Sequence, residues 1–253
     1  MYWHPHILCL HQFTAKLTKM NIIKPSVKLE AMTFPVDNDG NVIGNQSALH
    51  VIEKAGRTCY KSEDKITDKS AEKFCKMIQT RKHDSVMEHA SVTFRIITSR
   101  DVLQELVRHR IASYSVESSR YCCYSPDKKG MQFIQPAWIS DEALEKELNL
   151  KSGDPISHEQ MPIHIWYIQC EDTEGRYNTL ISECGWQPQQ ARVILPGCLK
   201  TEIVMTANFR EWLHFLELRT STAAHPDMRI IANMIQDKLS SLYPTIFTKE
   251  ERK

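Results

Sequence analysis

Val102, Leu103, Leu106 and Val107 form a helically spaced apolar stripe that runs directly into Arg108-His109-Arg110. Residues at this spacing share one helix face, and such a face packs inward. The cationic run that follows is therefore pinned against a core. Ser118 comes after a spacer of seven residues, then Arg120, so the thirteen positions from 108 to 120 hold three arginines, a histidine and several hydroxyls. Guanidinium groups bond phosphates and carboxylates bidentately, and serine hydroxyls complete such cradles. The chain as a whole carries a formal charge of only +1. A cationic cluster on a nearly neutral chain points to a local anion site. The competing explanation of any Arg-x-Arg, a solvated charged face, sits poorly with a buried stripe leading into it.

The 253 residues suit one ordinary domain or two small ones, with 42% apolar and 25% charged residues. Wholesale coating of nucleic acid is disfavoured by 32 basic against 31 acidic side chains. No apolar run approaches the roughly 20 residues that span a bilayer. Eight cysteines are scattered without a C-x-x-C pair, so no metal knuckle is expected. No secretory signal is evident, and the thiols read as reduced, in a cytoplasmic compartment. Residues 1–25 read as a separate N-terminal tail, disordered or lying ahead of a start at Met20.

Val27 to Phe34 alternates as a strand, and Asp39-Gly40 marks a turn. Ser47 caps a helix to about Cys59. Thr67 or Asp68 caps the next, carrying Ala71, Phe74, Cys75 and Ile78 on one face. Strands are expected at Ser91 to Ile97, Gln132 to Trp138 and Thr201 to Thr206. The charged stretch 141–156 reads as a loop-like surface insertion. Ser157 and Gln160 resemble a capping box opening a long helix that Gly185 ends. Asn208 caps a helix to Arg219, and Pro226 opens a last helix with Met228, Ile231, Ile235 and Leu239 inward. Neither a G-x-G-x-x-G nor a G-x-x-x-x-G-K turn is present, so one α/β or α+β domain is the simplest fold class.

A second cationic set comprises Arg192, Arg210, His214, Arg219 and His225. Asn208 and Arg219 stand eleven residues apart, about three helical turns, and so share a face. A purely structural account serves both: Asn208 as N-cap, Arg219 as partner of the helix dipole. A helix N-terminus is equally a site for anions. Glu88-His89 forms a third element, just before a strand.

Together these segments resemble the flavin-dependent thymidylate synthase family. That family's signature of R-H-R, seven residues and Ser, followed by x-R-Y, is matched by Arg108 to Arg110, Ser118, Arg120 and Tyr121. Glu88-His89, Ala191-Arg192 through Leu195-Pro196, and Asn208, Arg210, His214-Phe215 and Leu218-Arg219 match its other segments in order. The resemblance covers about residues 27–243. It implies a single domain over 26–253, with a central, mainly antiparallel sheet, flanking helices and a helical portion.

The resemblance also implies reductive methylation of dUMP to dTMP, with methylene-tetrahydrofolate as carbon donor and NADPH reducing FAD. It assigns FAD contacts to His89, Ser91, Arg108, His109, Arg110, Asn208, Arg210 and His214. It assigns dUMP contacts to Glu105, Arg108, Glu117, Ser118, Ser119, Arg120, Arg192 and Arg219. It makes Arg219 the catalytic residue, the one that orients and activates the uracil, and it implies no metal. A homotetramer with FAD sites shared between subunits is expected, without nucleic acid or membrane partners. Glu105 stands where many relatives have Gln, Val116 where many have a polar residue, and Asp227 where Gln is usual. The rival readings are a flavin reductase without methyl transfer and a binding module for RNA or nucleotides.

Overall fold

The computed structural model describes residues 20–128 and 130–248. Residues 1–19 of the expected tail lie outside that range. Met20 is buried, and Asn21–Ile23 forms β1, so the tail boundary at residue 25 is corrected. β2 (Ser26–Met32) follows, then α1 (Ala48–Tyr60) and α2 (Ser70–Thr80). Ser47 caps α1 as expected, its Oγ accepting from Leu49 N–H at 3.3 Å. α2 begins at Ser70, later than expected, because Ser70 Oγ and Thr67 bond each other ahead of the first turn.

The middle of the chain contains β3 (Ser91–Ser99), α3 (Arg100–Leu106), β4 (Ala112–Val116) and β5 (Gln132–Ile134). The expected strand to Trp138 stops at Ile134, two residues before Pro136, whose missing N–H cannot continue a ladder. α4 (Asp141–Leu148) corrects the expected loop over 141–156. Ser140 Oγ accepts from Ala143 N–H at 3.2 Å, and Leu144 and Glu147 turn inward. Its charges are the solvent face of a short helix. α5 (Met161–Ser182) is the long helix, and Gly185 follows it at a φ of 69°.

The last third comprises α6 (Pro188–Ala191), β6 (Lys200–Asn208), α7 (Phe209–Arg219), α8 (Pro226–Leu242) and α9 (Pro244–Phe247). The sheet has the order β2-β3-β6-β4, and every neighbouring pair is antiparallel. β1 and β5 form a separate parallel pair, joined to the segment before β6 by a bridge between Phe133 and Leu199.

Alternation along β3 and β6 sends Val92, Phe94, Ile96, Ile203, Met205 and Ala207 to one face. The inward faces of α1, α2, α7, α8 and α9 cover it, with Trp212 anchored through Nε1–H to Val92 O at 3.1 Å. Full burial of each large side chain here contributes about 1.5–3 kcal/mol. A second cluster, with Phe133, Cys170, Tyr177 and Leu199, forms where α5 packs near β5. The opposite face of the sheet stays half-exposed and carries Arg95, Glu30 and Glu202 in an ion-pair network. Among the described residues, no helix is long and apolar enough to cross a membrane.

Candidate functional site

α3 is held firmly at both ends. Its N-terminal amides are satisfied by the segment before β6: Arg100 N–H donates to Leu199 O, and Asp101 N–H to Gly197 O, both at 3.1 Å. A Cβ on Gly197 would meet the Asp101 carboxylate, so a larger residue there would have to displace that side chain. At the other end, Tyr114 of β4 reaches back. Its hydroxyl lies 2.7 Å from Leu106 O and 2.9 Å from His109 O, and burial raises its pKa to about 12. Val102 and Leu106 are buried as the stripe predicts, while Val107 turns outward. The R-H-R run is thus a fixed turn between α3 and β4.

Its three side chains diverge. Arg108 and Arg110 are exposed, and neither has an ion-pair partner among the described residues. His109 is 5% exposed and edge-on to Phe215 at 5.0 Å. Arg219 Nε–H donates to His109 Nε2 at 3.0 Å, and His109 Nδ1 lies 3.3 Å from Glu211 Oε1. Arg219 also donates from Nη1 to Glu105 Oε2 at 2.8 Å and from Nη2 to Glu105 O at 3.4 Å. Burial, then the charges of Arg219 and His214, lower the His109 pKa to about 4. Burial raises that of Glu211. The neutral imidazole spends both nitrogens inside the protein. Its expected flavin contact therefore has only the main chain of this turn to work through.

The same end of the sheet holds the other expected flavin residues. Asn208 caps α7, its Oδ1 accepting from Glu211 N–H at 2.9 Å. Asn208, Arg210 and His214 line a cleft of about 810 Å³, together with Gln79, Lys82 and Ile111. Arg210 pairs with Glu88 at 2.5 Å, which brings the Glu88-His89 segment to the cleft rim. Ser91 stands opposite Asn208 in the ladder, and its N–H donates to Thr33 Oγ1 at 2.9 Å. Departures from the family pattern acquire local uses here. Glu105 is the acid paired with Arg219, and Asp227 Oδ1 accepts from Ala137 N–H at 2.7 Å.

The expected nucleotide segment lies elsewhere. Glu117 N–H bonds Glu202 O, past the far end of β4. Glu117 is held by Lys200 Nζ at 2.6 Å and by Tyr124 O–H at 3.0 Å. Ser118 Oγ accepts from Arg120 N–H at 3.3 Å, and Ser119 is buried. Arg120 is exposed, donates to Gln189 Oε1 at 3.3 Å and lies over the Tyr121 ring. Gln189 sits on α6, whose end delivers exposed Arg192. Glu117, Tyr121, Lys200, Arg95 and Glu202 line a second cleft of about 570 Å³.

Within one chain, then, the structure gathers Glu105, His109, Arg219, Asn208, Arg210 and His214 at one end of β4. It gathers Glu117 to Arg120, with Gln189 as a bridge to α6, at the other. At about 3.3 Å per residue the two groups stand roughly 20 Å apart along the sheet. Sequence reading missed Gln189, Lys200 and the side-chain role of Glu211. Glu211 was visible as the third residue of a capped helix, which explains its amide but not its carboxylate.

The family profile described as thymidylate synthase complementing protein matches residues 42–245. The flavin-dependent thymidylate synthase of Corynebacterium efficiens is 32% identical over 200 residues, covering 78% of this chain and 77% of the relative. That of Mycobacterium tuberculosis is 31% identical over 204 residues, 79% of each. Thymidylate synthase X of Helicobacter pylori, solved with FAD and dUMP, superposes with a TM-score of 0.64 at 26% identity, covering 88% of this chain and 97% of its own. The UMP/dUMP methylase PolB of Streptomyces cacaoi shares the fold at a TM-score of 0.69 and 22% identity, covering 90% and 95%. A profile spanning most of the chain, joined by relatives above 30% identity over most of both lengths, places this chain in the flavin-dependent thymidylate synthase family.

Proposed function

We propose that this chain methylates dUMP reductively to dTMP, with FAD as cofactor, methylene-tetrahydrofolate as carbon donor and NADPH as reductant. The observation that carries this reading is the Arg219 guanidinium, held by Glu105 and His109 beside the R-H-R turn. Three of its five N–H groups are engaged by these partners, which leaves one on each terminal nitrogen for a ligand. Attack on the pyrimidine pushes negative charge onto its carbonyl oxygens. A pre-oriented cation there stabilises that charge with no reorganisation during reaction. Arg219 is the catalytic residue in this scheme, and Glu105 keeps it in place.

The 810 Å³ cleft offers a flavin dinucleotide the donors of Arg210, Lys82, Gln79, Asn208 and His214. Arg108, His89 and Ser91, from the adjoining segments, are assigned to the same cofactor. So are Arg110 and the main chain at His109, which precede the cleft-lining Ile111 in the chain. When bound, FAD supplies the hydride that NADPH provides. At the other end of β4, Arg120 and Arg192 hold the nucleotide phosphate. Ser118 and Ser119 bond near it, and Glu117, fixed by Lys200 and Tyr124, faces the ribose. Arg108, exposed on the R-H-R turn, would serve both the flavin and the nucleotide.

Groups about 20 Å apart in one chain cannot close on one nucleotide. A homotetramer with shared sites joins the Arg219 end of one subunit to the Arg120 end of another. The exposed Ile111, Val116 and Tyr121 flanking β4 give such contacts apolar surface to bury. We place the start of the catalytic domain at about residue 20, ahead of β1, and the enzyme in the cytoplasm, with no nucleic-acid or membrane partner.

The test is the visible spectrum of the purified protein before and after dUMP, followed by dTMP formation with both co-substrates. Bound flavin that responds to dUMP, with turnover, supports the reading. Flavin without a dUMP response would replace it with a flavin reductase. No flavin uptake would overturn it.

A further inference from the structure

We infer that Glu211 is a positioning residue for Arg219, acting through the tautomer of His109. This rests on the role proposed above for Arg219. Arg219 Nε can only donate, so the nitrogen it meets, His109 Nε2, must carry a lone pair. A neutral imidazole with a bare Nε2 carries its proton on Nδ1. That proton needs an acceptor, because the ring is 5% exposed and a buried N–H left unpaired is destabilising. Glu211 Oε1, itself on a buried side chain, is the acceptor at 3.3 Å.

Among the described residues, nothing else around the ring replaces it. Phe215 stands edge-on at 5.0 Å and His214 at 6.0 Å, both as ring contacts without a hydrogen bond to His109. Arg219 therefore donates to both sides, to Glu105 and to His109, and His109 donates onward to Glu211. Glu211 is in turn fixed by its own amide, which donates to Asn208 at the cleft. Without the Glu211 carboxylate the ring gains by moving its proton to Nε2. An N–H then faces an N–H, and Arg219 must swing away from its aim.

The experiment uses the full chain with histidine ring nitrogens labelled, the His109 signals being identified by their loss in His109→Gln. Wild type is expected to show one tautomer at neutral pH, protonated on Nδ1. Glu211→Gln, whose amide oxygen can accept the same proton, should keep that tautomer and turn over within about threefold of wild type. Glu211→Leu fills the space without an acceptor. It should move protonation to Nε2 and lower turnover at saturating dUMP about tenfold or more, with little change in the dUMP KM.

A wild-type ring protonated on Nε2 overturns the inference even if Glu211→Leu does not fold. So does Glu211→Leu with an unchanged tautomer or unchanged turnover. Arg219→Ala, run in parallel, separates the two layers. Normal turnover there removes the role of Arg219 itself, whereas a dead Arg219→Ala beside an active Glu211→Leu removes only the relay.

Discussion

The two ends of β4 are built on opposite plans. At the R-H-R end, Arg219 has a partner for three of its donors, and its supports have partners of their own. At the 117–120 end, Glu117 is held on both oxygens, but Arg120 has a single neutral acceptor and Arg192 lies exposed. A cation that must stabilise developing charge gains from being fixed beforehand. A cation that captures a phosphate needs reach, and its geometry can be completed by the ligand. On the function proposed above, the contrast is that between a residue that does chemistry and residues that bind.

That contrast can be broken at its strongest point with Arg219→Ala. We expect retained flavin and a fall in turnover of about 10²–10³, measured as dTMP formation at saturating dUMP. Near-normal synthesis would remove the distinction between the two ends.

The wired end should also leave a signature in stability. His109 has its pKa lowered from 6.5 to about 4, chiefly by burial, then by Arg219 and His214. Between those values the unfolded chain takes up the proton while the folded chain does not, so stability falls as pH falls. Urea melts of wild type should lose up to about 3 kcal/mol more than those of His109→Asn between pH 7 and 4. Parallel curves would mean that the ring is not buried neutral.

At the open end, Arg120→Ala removes a charge-assisted contact of about 1.5–3 kcal/mol. The dUMP KM should rise about 10–100-fold, with a smaller change in turnover. A collapse of turnover with unchanged KM would reverse the roles assigned to the ends. The smallest effect belongs to neither end: Lys24 and Asp141 form an ion pair whose side chains are both more than 60% exposed. Lys24→Ala should leave the melting temperature unchanged, because solvent screens such pairs.

Much of this was legible in the sequence where one signal dominated. β6 alternates along its whole length and β3 along most of it, and Ser47 and Asn208 cap as their side chains dictate. The stripe before Arg108 located the turn at the core's edge, but of the run it leads into only His109 is buried, while Arg108 and Arg110 are exposed. β4 was not legible because Ala-Ser-Tyr-Ser-Val buries no clean face of its own, its place being set by pairing with β6. α4 was hidden by its charge. The inward turn of His109 was hidden too, since it depends on Glu211 and Arg219, more than a hundred residues away. Motif spacing identifies which side chains gather, whereas direction comes from packing.

The claim that the site joins opposite ends of β4 from different subunits has a direct test. Arg219→Ala and the double variant Arg120→Ala with Arg192→Ala are each expected to be nearly inactive at dUMP concentrations below the wild-type KM. The two chains would be co-expressed with different tags and the mixed assembly isolated by tandem purification. The account predicts that dTMP formation returns well above either parent, because some sites in the mixture draw an intact Arg219 and an intact Arg120 from different chains. Mixed assemblies as inactive as their parents would contradict it and would require each site to be completed within one chain.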